Sequence, residues 1–130
     1  MKRRIEKLIP LAIAVLEDVG IADKETLKAF KEFKGYISSF GASVIQSGLL
    51  PAVIFFEQEE NRAEKLRHLV PEAILLLTQR KYDEKILYKK DKKLSDHIYK
   101  SAHPEELAKD ISDAAVALKL ALRTFNLVTN

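Results

Sequence analysis

The chain has 130 residues, of which 47% are hydrophobic and 32% charged, and it contains no cysteine. This length and composition predict one globular domain with a genuine core and exclude a disordered chain, a disulfide framework and a cysteine nucleophile. The net charge of +3 is small for a protein that binds nucleic acid by itself. The absence of cysteine suits a reducing interior, and the many Lys and Glu residues suit a thermophile.

The first predicted element is an amphipathic helix over residues 3–19, with Pro10 as a kink or a late start. Its basic front and short apolar run resemble a signal peptide, but Glu6 interrupts the front and the apolar residues recur at helical spacing. No segment approaches the roughly 20 apolar residues that are needed to span a bilayer. A cytoplasmic protein is therefore expected.

The second and third predicted helices meet at Gly48. Asp23 is the predicted N-cap of a helix that continues to about residue 47. Gly48 fits a helix C′ position, where a positive φ costs glycine nothing, and Pro51 fits the first turn of the next helix. The phenylalanines of this block are expected in the core: Phe30, Phe33, Phe40, Phe55 and Phe56.

The second half of the chain predicts a helix over about 62–80, which Pro71 would split, a basic connector over 81–93, a short helix over 94–101 and a C-terminal helix over 104–127. No segment predicts a strand, because the apolar spacing is three and four nearly everywhere. The predicted fold is all-α, a compact bundle of five to six helices in a single domain over 1–130. Its core block is a helix–turn–helix over 23–60.

The charges are unevenly distributed along the chain. Residues 57–64 contain one basic and four acidic residues, whereas residues 78–100 contain eight basic and four acidic residues. One molecule thus carries an acidic corner and a basic arm. This asymmetry suits head-to-tail stacking of copies as well as it suits RNA binding.

The sequence gives little support for a catalytic or metal-binding site. The sequence contains no Walker loop, HExxH or GxSxG motif, and His97 and His103 near Asp96 are typical of surface or capping residues, so neither a metal nor a cofactor is predicted. Arg62 and His68 have the spacing of the motif of HEPN ribonucleases, which they resemble, although Ala63 departs from the polar residue that usually follows the arginine. A helical, metal-independent ribonuclease is therefore one alternative, in which Arg62 stabilises phosphate charge and His68 transfers a proton. A solvated helix face is the more common meaning of this spacing.

A more specific pattern lies in residues 33–56, FKGYISSFGASVIQSGLLPAVIFF. An aromatic residue, two turns of helix, an apolar pair and a polar residue lead to Gly-Leu, and an apolar run ending in Phe follows. This order resembles the central motif of the small α-helical subunit of type III-B (Cmr) CRISPR RNA-guided effector complexes. Phe33 stands where that family usually has Tyr, Gly48 and Leu49 form the Gly-Leu pair, and Phe55 is the phenylalanine seven residues after the glycine.

Some positions depart from the family. Gly41 stands where many members have Pro, Ser39 where many have Lys, and Ser47 where Asn or Ala is frequent. A weaker similarity lies at Leu122-Arg123-Thr124-Phe125, which resembles the closing aromatic-basic-basic-Phe of the family. There Thr124 replaces one of the two basic residues.

The resemblance implies a non-catalytic structural subunit in antiviral defence. Copies would stack as a short filament along the backbone and large subunits of the complex and support the guide RNA paired with its target RNA, while other subunits cleave. It implies neither a membrane nor a small-molecule substrate. Type III-A small subunits are also helical and have a similar role, so the subtype stays open.

Under this interpretation, basic side chains contact phosphates without reading bases. The candidates adjoin the family-like block or stand at the matching C-terminal position: Lys31, Lys34, Arg62, Lys65 and Arg123. Most other surface lysines are expected to be merely solvated. A third hypothesis is a plain dimerising adaptor, in which the apolar run 49–56 meets a protein partner and never RNA.

Overall fold

The computed structural model describes residues 2–58, 66–90 and 92–129. Within these ranges the chain forms six helices and two short strands, which in chain order are α1 (Lys2–Asp18), β1 (Lys28–Phe30), α2 (Glu32–Ser47), α3 (Leu49–Glu57), α4 (Leu69–Tyr82), α5 (Leu94–Tyr99), α6 (Pro104–Leu122) and β2 (Asn126–Val128). The predicted helical fold class is confirmed. Among the described residues, no helix has both the length and the apolar content that crossing a membrane requires.

Helix α6 lies at the centre of the packing and contacts α1, α2 and α4. Small residues allow the close approach of α1 and α6: Ala12 on α1 and Ala117 and Ala121 on α6 are completely buried. Helix α4 is buried on almost every face, since Ile74 and Leu77 are fully buried and the side chains next to them are nearly so. These three helices build the main part of the hydrophobic core, onto which α2 and α3 pack.

The prediction that the chain has no strand is wrong. β1 and β2 form a two-stranded parallel sheet in which Lys28 pairs with Asn126 and Phe30 with Val128. The three-and-four spacing of Leu27, Phe30 and Phe33 had indicated a helix. Leu27 instead has a φ of 59°, which a helix cannot accommodate, and its side chain is exposed. Pairing with a strand nearly 100 residues away overrides the local pattern.

The predicted second helix consequently begins later than expected. Asp23 does not cap a helix, because its Oδ1 accepts hydrogen bonds from the backbone N–H groups of Glu25 (2.8 Å) and Thr26 (3.2 Å) in a local turn. Helix α2 starts only at Glu32. An Asp side chain favours both turns and helix N-termini, because its oxygen accepts hydrogen bonds from nearby backbone N–H groups in either case. The sequence pattern therefore indicated this hydrogen bonding correctly, but it occurs in a turn.

Two other boundaries differ from the predictions. Helix α4 begins at Leu69 and runs unbroken to Tyr82, since Pro71 lies in its first turn, where proline is tolerated. The predicted start of that helix at residue 62 lies outside the described residues. Helix α6 ends at Leu122 rather than at 127, and the chain turns there into β2.

The first, the short and the last predicted helices are present, whereas the predicted connector over 81–93 begins inside α4. Helix α1 runs through Pro10, Pro104 stands at the start of α6, and α5 occupies the predicted short segment. The connector after α4 has neither helix nor strand in its described part. It docks on α4 through Arg80, whose Nε donates to the Ile86 carbonyl at 2.9 Å, and through Tyr88, whose hydroxyl donates to Glu72.

A network of polar side chains joins the end of α4 to α6. Asp110 is buried, and its two carboxylate oxygens accept from Lys81 Nζ (2.6 Å) and from the Tyr82 hydroxyl (2.6 Å). These hydrogen bonds raise the pKa of both Lys81 and Tyr82 above their ordinary values of 10.5 and 10.0. The network therefore stabilises the fold with both donors protonated.

We expect this network to make the protein sensitive to alkaline pH. A group whose pKa is raised by folding contributes stability that is complete below its unfolded pKa and is lost as the pH rises through its folded pKa. As the pH rises above the ordinary pKa values of 10.0 and 10.5, the melting temperature should therefore fall. In Asp110→Asn this fall should be less steep. Thermal unfolding followed by circular dichroism across that range measures both slopes. Equal slopes in Asp110→Asn and in the surface control Asp96→Asn would contradict the assignment.

Candidate nucleic-acid interface

Lys31 and Lys34 lie where β1 passes into α2, and both side chains are exposed. The backbone N–H of Lys31 donates to the Val128 carbonyl at 2.8 Å, which fixes the start of α2 against the end of β2. Lys31 and Lys34 line a shallow depression of about 620 Å³, and its other lining residues include the acidic Glu32 as well as Gly35, Ser38 and Leu127. Gly35 and Ser38 are small, so the depression stays open between the two lysines.

The parallel sheet places Arg123 at the end of the sheet opposite to Lys31. Arg123 is exposed at the last turn of α6, three residues before β2. The Asn126 N–H donates to the Leu27 carbonyl at 2.8 Å, which places the entry of β2 beside the entry of β1. Arg123 and Lys31 therefore flank the sheet from opposite ends of a strand, roughly 10 Å long at about 3.3 Å per residue.

Two further lysines belong to this surface, although they were not among the predicted RNA-binding residues. Lys28 is the first residue of β1, and Lys24 lies in the turn before it. Both line a second depression of about 630 Å³, whose lining also includes Val128 of β2. The helix predicted from Asp23 to about residue 47 contained all four lysines, and this concealed their relation to the C-terminal strand. We call the five residues the sheet-end surface: Lys24, Lys28, Lys31, Lys34 and Arg123.

The positive charge of the sheet-end surface is partly offset. Three carboxylates occur in the same segment, at Asp23, Glu25 and Glu32, against the five basic residues. Asp23 accepts two backbone N–H groups in its turn, and these hydrogen bonds lower the pKa of its carboxyl. The surface is therefore moderately basic, which suits weak contact with phosphates rather than tight independent binding.

The structural residues of the family-like block have definite positions. Phe33 is completely buried and makes an edge-to-face contact with Tyr36 at 5.3 Å between ring centroids. Gly48 has φ 94° and ψ 163°, which confirms the predicted positive φ, and Leu49 begins α3 as a half-buried side chain. Across this corner Phe40 and Phe56 pack edge to face at 5.3 Å, so α2 and α3 fold back against each other.

The expectation that Phe55 is a core residue is wrong. Its side chain is 49% exposed, and the guanidinium of Arg67 lies 4.4 Å from its ring centroid. Ile54 is 47% exposed beside it, and Ile45 on α2 is 88% exposed. Because α3 is apolar on all sides, a helix only partly covered by the core must leave some of these side chains in solvent. The corner thus carries exposed apolar surface.

Arg62 and Lys65 lie outside the described residues, so the structure tests neither their role in RNA binding nor the pairing of Arg62 with His68. His68 itself precedes α4, and its Nε2 lies 3.7 Å from Glu72 Oε2. Glu72 also accepts from the hydroxyl of Tyr88. The imidazole therefore faces a carboxylate that is already engaged in the docking of the connector. Within the described ranges, no three His, Asp or Glu residues come close enough to hold a metal ion.

Comparison with known proteins adds no assignment to this geometry. No protein-family model, curated protein or solved structure matches the chain.

Proposed function

We propose that the protein is a non-catalytic structural subunit of a type III-B CRISPR RNA-guided effector complex, which supports the guide–target RNA duplex through sequence-independent phosphate contacts. The observation that carries the proposal is the parallel pairing of β1 with β2. It places Arg123, from the C-terminal family-like tetrapeptide, before the entry of the sheet, and it places Lys31 and Lys34, which adjoin the central family-like block, after the exit of the sheet. Two segments picked out separately by one resemblance therefore flank the same two-stranded sheet.

The weakness of this surface suits a repeated subunit. The sheet-end surface has five basic residues with three carboxylates nearby, and the whole chain has a net charge of only +3. Such a monomer binds a phosphate backbone weakly, but stacked copies engage one RNA at many points and gain affinity by avidity. The exposed apolar side chains at the α2–α3 corner, Ile45, Ile54 and Phe55, offer surface for contact with a neighbouring copy or a larger subunit.

The direct test is purification of a tagged copy from its native host, with sequencing of the bound RNA. We expect repeat-derived guide RNA together with several larger CRISPR proteins. A protein recovered without guide RNA and without those subunits would overturn the proposal.

The triple variant Lys31→Glu, Lys34→Glu and Arg123→Glu tests the surface itself. Each lost phosphate contact reduces the magnitude of the slope of log RNA affinity against log salt concentration by about 1. The triple variant should therefore lower the magnitude of this slope by about 2–3 for the assembled complex, which should release RNA at lower salt. The side chains are exposed, so the melting temperature should stay near that of the wild type. RNA retention at increasing salt is the measurement.

A matched control has the same charge change at three exposed lysines elsewhere, Lys85, Lys100 and Lys109. It separates a local effect of the sheet-end surface from the general effect of a net charge that is lower by six. Equal RNA release by both triple variants would argue against the sheet-end surface as the contact site.

A further inference from the structure

A second group of cations lies in a cleft between α1 and the end of α4, which shares no residue with the sheet-end surface. The cleft has a volume of about 560 Å³. Arg3, Arg4 and Lys7 line it from α1, and Lys81 lines it from α4. Among the residues that the structure describes, Glu84 is the one acidic residue of the lining, and two leucines of α1 also take part. Four cations thus face one opening with one carboxylate in the described part of the lining.

Two of these cations are held in place from behind. Arg4 donates to both carboxylate oxygens of Asp113, with Nη2 at 3.1 Å from Oδ1. Lys81 donates to Asp110 at 2.6 Å. Asp110 and Asp113 are buried, 8% and 6% exposed, one helical turn apart on α6. Fixed cations of this kind lose little side-chain freedom when they bind an anion, which is the advantage of preorganisation.

Both anchored groups keep hydrogen-bond donors for a ligand. A guanidinium has five N–H donors, and Asp113 engages only the Nε and Nη2 groups of Arg4. An ammonium has three donors, and Asp110 engages one from Lys81. Arg3 and Lys7 are exposed and form no ion pair with any of the residues that the structure describes. The cleft therefore offers donors from all four side chains.

The position of the arginines is unfavourable without an anion. Arg3 and Arg4 stand in the first turn of α1, which contains no acidic residue. A helix N-terminus carries a partial positive charge, so cations there oppose the helix dipole. Asp113 compensates Arg4 alone. An anion in the cleft would interact favourably with the remaining cations.

We propose that this cleft is a phosphate-binding site, which takes either a phosphodiester of a nucleic-acid backbone or a free phosphoanion. Phosphate fits because its several oxygens accept from a planar guanidinium and from ammonium groups together. The site is independent of the proposed RNA support by the sheet-end surface, because none of its residues lies there.

The experiment is an amide NMR titration of the full chain with two probes, inorganic pyrophosphate and a single-stranded RNA oligonucleotide. We expect chemical-shift changes at Arg3, Lys7 and Lys81. Changes with both probes or with RNA alone identify a backbone site, and changes with pyrophosphate alone identify a site for a small phosphoanion. No change at the cleft with either probe would overturn the proposal.

Two variants sharpen the test. Arg3→Glu with Lys7→Glu should abolish the pyrophosphate response at the cleft. Where RNA is the ligand, the loss of two single-strand phosphate contacts should lower the magnitude of the slope of log affinity against log salt concentration by about 1.4. This corresponds to about 25-fold weaker binding at about 0.1 M salt. Glu84→Gln removes an acidic lining residue and should strengthen binding by about fivefold, the effect of one charge about 4 Å away in water. This gain cannot result from unfolding. Unchanged affinity in both variants would overturn the proposal.

The pair Lys31→Glu and Lys34→Glu serves as the matched control. It changes the charge by the same amount on the sheet-end surface and should leave the pyrophosphate response of the cleft intact. If this control abolishes that response as fully as Arg3→Glu with Lys7→Glu, the anion is not held in the cleft. Failure of the cleft is thereby distinguishable from failure of the sheet-end surface.

Discussion

Phe56→Ala is expected to lower the free energy of unfolding by about 3–5 kcal/mol, the usual effect of truncating a buried phenylalanine. The side chain is 1% exposed and packs edge to face on Phe40 at 5.3 Å, across the corner between α2 and α3. Its removal leaves a cavity where the two helices fold back on each other. Urea unfolding followed by circular dichroism measures the change.

The neighbouring residue supplies the control. Phe55 is on the same helix and has the same chemistry, but it is 49% exposed and contacts the guanidinium of Arg67. Phe55→Ala should lower the free energy of unfolding by only about 2 kcal/mol, the scale of a cation–π contact with the buried guanidinium of Arg67 together with a partly buried ring. Equal losses in the two variants would show that α3 packs in a different rotation from the one described.

Gly48→Ala is expected to lower the free energy of unfolding by about 1–3 kcal/mol. Gly48 has φ 94° and ψ 163°, a backbone region that is essentially restricted to glycine. The nearest atom to an added Cβ is Pro51 Cδ at 3.8 Å, an ordinary contact, so backbone strain rather than a clash causes the loss. Chemical denaturation gives the difference directly.

Gly41→Ala is the matched control for this backbone effect. Gly41 lies inside α2 with no positive φ, and nothing lies within 4 Å of an added Cβ apart from its own helix and chain neighbours. Alanine there should raise the free energy of unfolding by about 0.5–1 kcal/mol, because glycine is a poor helix former. A gain at Gly48 or a loss at Gly41 would contradict the described backbone of the corner.

The comparison of Phe55 with Phe56 shows where reasoning from the sequence stops. Both residues lie in a run that is apolar on every side, so no periodicity distinguishes the buried face of α3 from its exposed face. The packing of Phe40 against Phe56 decides the difference, and it depends on the arrangement of separate helices. The guanidinium of Arg67 contacts both rings, at 4.4 Å from Phe55 and 5.3 Å from Phe56. Gly48 is the opposite case, since its conformation follows from local sterics and was predicted.

The cleft between α1 and α4 was not predicted. Arg3, Arg4 and Lys7 appeared in the sequence as the basic front of a helix, and Lys81 as part of a basic connector about 75 residues later. A signal existed in the two aspartates of α6, Asp110 and Asp113, which recur one turn apart among apolar residues. Carboxylates at core positions require cationic partners, but the sequence does not say which ones.

The sequence by itself determined the helical class, the helix–glycine–helix corner at Gly48 and the start of α6 at Pro104. These features depend on apolar periodicity and on backbone sterics, which act within a few residues. Only the tertiary structure decided that Lys28–Phe30 is a strand and that Arg123 and Lys31 flank the same sheet. Strand pairing depends on a partner far away in the chain, and its hydrogen bonds outweigh the weak local preference of three residues for a helix.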